Sequence, residues 1–289
     1  MDTPKGLGVD AERLFRSLSD LAAAVLDRAG SPELAGVGVG CGGPMRWPEG
    51  RVSPLNIPAW RDFPLRARLI ERFPGQPVRV HNDAVCAAVG EHWRGAGHGH
   101  AAMLGMVVST GVGGGLILGG QLVDGPTGNA GHIGHVVVDP DGPPCGCGGV
   151  GCLEAIARGP ALVVWALERG WRPQRARQAT GQPTARDLAD DARTGDPIGR
   201  AALERAGRAL GLALAAATAL CDLDLVIVGG GLSQAGPLLL VPLEETLRRH
   251  IRLDFARRVG LQPAALGQQA GLVGAAALVH AGTRYWHGD

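Results

Sequence analysis

Gly134-His135 and, ten positions on from the histidine, Cys145-Gly146-Cys147-Gly148-Gly149-Val150-Gly151-Cys152-Leu153-Glu154 carry the densest chemistry in this chain. One imidazole and three thiols fall within eighteen residues, spaced by glycines. Zinc prefers a tetrahedral shell of nitrogen and sulfur donors, and four protein ligands mark a structural ion. Glycine lets a short loop fold tightly enough for several thiolates to reach one ion. The expected metal ligands are therefore His135, Cys145, Cys147 and Cys152, and the expected ion is a structural Zn2+. The alternative is a pair of disulfides or a redox site, but nothing in the sequence points to secretion, where disulfides persist. Glu154 follows the last ligand closely. A metal knot that holds a carboxylate beside it suits the wall of a substrate pocket.

The rest of the composition narrows the class. At 289 residues the chain has the length of one large or two medium domains, and 45% hydrophobic residues are ample for a core. A formal charge of +1 offers no basic field for nucleic acid and no acidic tail. Aromatic residues make up only 4%, with Tyr285 the sole tyrosine, so stacking on bases has few residues to use. The start, Met1-Asp2-Thr3-Pro4-Lys5, is polar and does not read as a signal peptide. No run of about eighteen apolar residues is free of charges or glycine clusters, so neither a membrane span nor a membrane partner is expected. The expected compartment is the cytoplasm, where Cys41, Cys86 and Cys221 read as reduced, buried thiols.

Working outward from the knot, strands alternate with helices. Residues 10–30 have helical periodicity, with Leu14, Leu18, Leu21, Ala22 and Leu26 on one face. Val37–Gly40 reads as a buried strand, 51–75 as Pro-broken chain with a helix at 65–72, 77–80 as a strand, and 84–93 as a helix. A strand is expected at 101–108, a Gly-rich turn at 109–115, and a second strand at 116–118, after which Gly119-Gly120 bends into 121–123. Helices follow at 160–170 and 184–195, separated by a polar, mobile loop at 170–183. A long Ala-rich helix at 197–220 precedes a strand at 224–228, a helix at 237–249, a weak strand opening at Val259, and a helix at 271–281. This order predicts an α/β fold with parallel pairing in part.

Three further motifs carry chemistry. Ser109-Thr110-Gly111-Val112-Gly113-Gly114-Gly115 lies between apolar strands, where amides approach an anion closely; it suits a phosphate cradle or a plain hairpin, and it is not a Walker loop. Gly229-Gly230-Gly231 follows a strand, at the end of the sheet where α/β folds bind ligands; it suits the side of a nucleotide or a plain tight strand-to-helix turn. Asn82-Asp83 ends another strand: an Asp there takes a proton from a hydroxyl nucleophile, or caps the helix that follows. His81 reads as a packing or solvent residue. His132 is a pocket residue or polar filler, and Glu154 is a pocket residue or helix cap. His92, His98 and His100 read as a solvated loop.

As an ordered set, Asn-Asp-Ala, Ser-Thr-Gly-Val-Gly-Gly-Gly, Ala130-Gly131-His132-Ile133-Gly134-His135, the cysteine knot and Val-Ile-Val-Gly-Gly-Gly resemble the ROK family (repressors, open reading frames and sugar kinases). The resemblance runs from Thr3-Pro4 to about Ala281. It implies an actin-like ATPase (ribonuclease H-like) two-domain fold, divided into 1–100 and 101–289, with the zinc loop at 131–154 and a nucleotide-side turn at 229–231. It also implies phosphorylation of a sugar hydroxyl by Mg2+ and ATP, with Asp83 as general base. Asn56, Asn82, Asp83, His132, His135 and Glu154 would hold the sugar, and His135 would also ligate zinc. Thr110, Gly111, Gly113, Gly114 and Gly229, Gly230, Gly231 would hold ATP. Family members are often dimers or tetramers, so a homo-oligomer is expected.

Two departures from the family pattern shape the expectation. Most family sugar kinases carry Glu where this chain has His132, and His there resembles bacterial N-acetylmannosamine kinases. A neutral imidazole accepts one hydrogen bond and donates one, which suits an N-acetyl substituent. The favoured substrates are therefore N-acetylmannosamine and glucose. The family's opening strand and Asp-x-Gly-Gly-Thr turn, which hold phosphate and magnesium, do not occur ahead of Thr3-Pro4, so a truncated first domain is expected, its start placed too far downstream. The alternative is an inactive sugar-binding pseudokinase. A transcription repressor is disfavoured, because only two residues precede Thr3.

Overall fold

The computed structural model describes residues 10–174 and 182–288. The first helix, α1 (Ala11–Arg28), starts where Asp10 accepts a hydrogen bond from the Glu12 amide. Its apolar stripe is only partly covered: Leu14 and Phe15 are buried, whereas Leu21 is 46% exposed. Strand β1 (Val37–Cys41) leads into a small hairpin, β2 (Met45–Arg46) and β3 (Arg51–Val52), which the Pro-broken sequence did not suggest. Then come α2 (Leu65–Arg72), β4 (Val78–Asn82) and α3 (Asp83–Arg94). β1 and β4 pair in parallel from Val37 opposite Val78 to Cys41 opposite Asn82. β4 thus runs two residues beyond the predicted strand and carries His81 and Asn82 to its end.

The main sheet has the order β7-β6-β5-β8-β9. It is built from β5 (Met103–Val108), β6 (Val112–Leu118), β7 (Gln121–Leu122), β8 (Leu225–Gly229) and β9 (Gly260–Pro263). β5 runs antiparallel to β6 and parallel to β8, and β8 is parallel to β9. The predicted Gly-rich turn at 109–115 is mostly strand; β6 begins at Val112. The glycines there make room for a helix. A Cβ at Gly113 would lie 2.7 Å from the Ala84 Cβ, and one at Gly115 2.8 Å from the Ala88 Cβ. Close strand–helix packing, rather than a turn, explains them.

One face of the sheet packs against α4 (Leu153–Ala157), α5 (Gly159–Glu168), α6 (Ala185–Arg193), α7 (Pro197–Cys221) and α8 (Pro237–His250), with Met106, Leu162, Trp171, Leu203, Leu210 and Leu239 in the core. α6 opens on a capping box between Thr184 and Asp187. The other face packs against α3 and α9 (Ala270–His280) through Val85, Val89, Ile117, Ile227 and Leu278. α9 also reaches across to β1, so the end of the chain returns to the strands at its beginning. The predicted polar loop at 170–183 falls partly on residues 175–181, which lie outside the described residues. No described helix is long and apolar enough to cross a membrane.

The loop at 92–100 differs from expectation. His92 is buried; its Nε2 donates to the His100 carbonyl at 2.8 Å, leaving Nδ1 to accept from the Tyr285 hydroxyl at 2.7 Å. Glu91, only 2% exposed, is the staple of this corner: its carboxylate accepts from the amides of Ala96 (2.9 Å), Ala265 (3.1 Å) and Leu266 (2.8 Å). Glu91→Ala leaves three part-buried backbone donors without their acceptor. It is expected to cost about 3 kcal/mol in urea unfolding, and a loss below about 1 kcal/mol would show that water replaces the carboxylate.

Candidate active site

The corner at Asn82-Asp83 forms because a strand meets a helix there. Asn82 is the N-cap of α3, its Oδ1 accepting from the amides of Ala84 (2.9 Å) and Val85 (3.4 Å). The cap that the sequence allowed for Asp83 is therefore supplied by its neighbour. Asp83 sits in the first turn, exposed, with its Oδ1 2.8 Å from the Ala84 amide. Around it, the Gly42-Gly43 turn at the end of β1 leaves open space. A Cβ on Gly42 would lie 3.6 Å from Asn56 Oδ1 and 3.9 Å from Asp83 Oδ2, and one on Gly43 would lie 3.3 Å from Asn82 Nδ2. Three predicted sugar residues from two segments thus converge on one side-chain-free turn. Burial, with the Asp83 charge as a second cause, pushes the Cys41 thiol up to about 12 and raises that of Cys86 as well. Both therefore stay protonated near neutrality and do not compete as bases. Cys221, expected buried, is half-buried.

The cysteine knot closes as expected. One ring nitrogen of His135 and the Sγ atoms of Cys145, Cys147 and Cys152 all lie within 4.8 Å of one another. Cys147 and Cys152 Sγ are 3.7 Å apart, as are Cys145 Sγ and His135 Nδ1. A tetrahedron with Zn–S bonds of about 2.3 Å has edges of about 3.8 Å. The donor set and its spacing therefore fit zinc. Backbone bonds from Cys145 to Gly149 and from Gly148 to Cys145 shape the turn. Gly151 has φ +68° and no room for a Cβ, which would fall 1.5 Å from the Asp139 carbonyl oxygen. The Gly149 amide holds the Cys147 thiol below its ordinary value.

The knot is fastened to the Asn82-Asp83 corner through the start of β6. Glu154 lies in α4 rather than capping it, and its Oε2 accepts from the Val112 amide at 2.9 Å, which leaves Oε1 outside that bond. A Cβ on Gly134 would fall 2.1 Å from the Val112 carbonyl, so the His135 turn rests on the same residue. On the other side, Gly113 touches Ala84, next to Asp83. His132 stacks on His135 with ring centroids 6.3 Å apart, and its Nδ1 is buried with no hydrogen-bond partner among the described residues.

Immediately before Val112 a cleft of about 840 Å3 opens, lined by Ser109 and Thr110, by Val163, Val164 and Leu167 of α5, by Arg186 and Arg193 of α6, and by Gly231, Leu232 and Gln234. Thr110 and Gly231 are thus placed in it. Gly113 and Gly114 lie within β6, Gly111 packs on Glu154, Gly229 closes β8, and Gly230, at φ +93°, abuts Val108. Sequence reading missed the α5 and α6 wall, whose residues carry no motif. It also missed the role of His81, which is buried against Asp124.

The chain is similar to known proteins over most of its length. The ROK family model matches residues 10–282. A glucokinase from Thermotoga maritima is 35% identical over 267 residues, covering 90% of this chain and 83% of the relative. An N-acetylmannosamine kinase from Escherichia coli is 37% identical over 228 residues, covering 78% of this chain and 72% of the relative. The crystal structure of a ROK family glucokinase from Streptomyces griseus in complex with glucose and AMPPNP superposes with a TM-score of 0.77 at 35% identity, covering 97% of this chain and 90% of that one. With the domain model spanning nearly the whole chain and the actin-like ATPase fold in common, this protein belongs to the ROK family.

Proposed function

We propose that the protein is an ATP-dependent sugar kinase that phosphorylates a hexose or N-acetylhexosamine. The observation that carries this reading is the junction at Val112-Gly113: the Asp83 corner, the zinc knot and the cleft at Thr110 meet within two residues of β6. The relatives' names support it, since they are glucokinases and an N-acetylmannosamine kinase, and one is solved with glucose and AMPPNP.

Phosphoryl transfer needs positioning and charge stabilisation more than covalent chemistry. Asn56, Asn82, His135 and Glu154 hold the sugar so that one hydroxyl faces Asp83. Asp83 takes its proton as the oxygen attacks the γ-phosphorus, the bond from that phosphorus to the β,γ-bridging oxygen breaks, and ADP leaves. His135 and the thiolates of Cys145, Cys147 and Cys152 would hold a structural zinc ion, which would supply rigidity; the His135 ring, fixed in this way, would keep its other nitrogen free for a sugar hydroxyl. The adenosine lies in the cleft between α5, α6 and Gly231, with its phosphates toward Thr110. His132 brings an unpaired imidazole nitrogen beside the His135 ring, a group that selects an N-acetyl substituent.

A coupled ADP-release assay with Mg-ATP and glucose, mannose, N-acetylglucosamine or N-acetylmannosamine tests the reading. Sugar-dependent ADP release is expected, with glucose and N-acetylmannosamine the best substrates. Sugar binding without ADP release would make the protein a non-catalytic sugar binder and remove the role of Asp83.

A further inference from the structure

Behind the Asn82-Asp83 corner lies a chain of polar groups that the reaction does not touch. His81 is 1% exposed and Asp124 is 6% exposed. His81 Nε2 is 2.9 Å from Asp124 Oδ1, and His287 Nδ1 is 2.5 Å from Asp124 Oδ2. On the other side of its ring, His81 Nδ1 accepts from the Asn82 backbone amide at 2.8 Å. A neutral imidazole donates from one nitrogen and accepts at the other. An amide donating to Nδ1 therefore leaves the proton on Nε2, where the Asp124 carboxylate receives it. The carboxylate thus selects the tautomer, as second partners commonly do for functional histidines.

The chemistry is local, but the segments are not. His81 ends β4, Asp124 follows β7 in the loop that leads to Ala130 and His132, and His287 lies near the carboxyl end of the chain. The Asp124 carbonyl accepts from the Ala130 amide. Trp47 packs between this loop and the cluster: its ring centroid is 6.4 Å from that of His81 and 5.8 Å from that of Trp286, and a Cβ on Gly128 would overlap its side chain. Both halves of the sugar side are therefore tied to one buried carboxylate.

We propose that His81 is a positioning residue for catalysis: locked as the Nε2–H tautomer by Asp124, its Nδ1 fixes the Asn82 peptide and with it the direction of the Asn82 and Asp83 side chains. The proposal rests on the reading of Asp83 as the base. A misplacement of about 1 Å at the reacting groups costs about a hundredfold in rate. The effect falls on kcat, because the sugar's other contacts stay in place.

Two substitutions separate this role from simple tethering. In His81→Asn, the side-chain Oδ1 takes the place of Nδ1 and still accepts from the Asn82 amide; Asp83 Oδ1 makes the same next-residue bond to Ala84. In His81→Gln, the amide Nε2 still reaches Asp124 but the acceptor is lost. Both remove the ring, so its packing cancels in the comparison. His81→Asn is expected to keep kcat for glucose or N-acetylmannosamine far closer to wild type than His81→Gln, which falls about a hundredfold with KM little changed. Equal losses, or a better His81→Gln enzyme, overturn the proposal. Asp83→Asn run alongside keeps the two questions apart: turnover retained there removes the base, whatever His81 does. A 15N-histidine spectrum of the wild-type protein decides without turnover or mutation. His81 as the Nε2–H tautomer supports the proposal, and an Nδ1–H tautomer or an imidazolium overturns it.

Discussion

Asp83→Asn is expected to lower kcat on the order of 10²–10⁴-fold, the share that a positioned base contributes, while the sugar dissociation constant stays within about tenfold. The structure makes this a clean test. Asp83 is exposed, so no cavity is left, and its bond to the rest of the fold runs from the Ala84 amide to Oδ1, which an Asn side chain keeps. The helix is capped by Asn82, not by Asp83. What the substitution removes from the fold is one negative charge in the first turn of α3, a favourable position by about 0.3–1 kcal/mol at an exposed site. Unfolding in urea should therefore change little while turnover collapses. ADP release gives kcat, and titration calorimetry with the sugar gives the affinity. Turnover within tenfold of wild type would place the base elsewhere. A collapse of binding together with turnover would make Asp83 a sugar anchor rather than a base.

How much of this was legible in the sequence depended on the range of the interactions. The knot was legible as a cluster: four candidate ligands within one glycine-rich stretch fold on themselves, and no distant residue decides their meeting. Long helices such as α7 and α8 were placed within a residue or two. The Gly113–Gly115 run was misread because glycine has two uses. It permits turns, and it permits close packing; only the position of Ala84 and Ala88 on the facing helix shows that the second applies. His92 was misread for the same reason: the groups that bury it include Tyr285, nearly two hundred residues away. His81 looked incidental, since Asp124 and His287 approach it only in the fold. The hairpin of β2 and β3 is too short to leave a periodic signal. The Asn82-Asp83 corner stood between these cases: it was visible at a strand end, yet which of the two residues caps the helix was decided by side-chain geometry.

Cys147→Ser carries the second large effect, and its interest lies in what it separates. Cys147 is exposed, so replacing sulfur by oxygen at this site removes little packing. If the four side chains merely touched, the cost would be that of one surface substitution, within about 0.5 kcal/mol. A structural zinc ion changes the scale, because its binding energy is folding energy for the segment that holds it, roughly 10–16 kcal/mol in small zinc modules. The expected result is therefore loss of bound zinc by elemental analysis, with sugar affinity falling by about a hundredfold or more, the upper range seen when the partners that orient a metal site are removed. The fall follows from the connections of the knot. His135 is both ligand and sugar contact in the proposed site, and Glu154 follows Cys152 by two residues while holding the Val112 amide. Releasing the ion frees both at once. The large core around α7 and α8 does not involve the knot's thiols, so the mutant should stay folded by circular dichroism, with local opening confined to 131–154. Zinc lost with sugar affinity unchanged would show that the knot braces the surface alone and that Glu154 is held by Val112 without help.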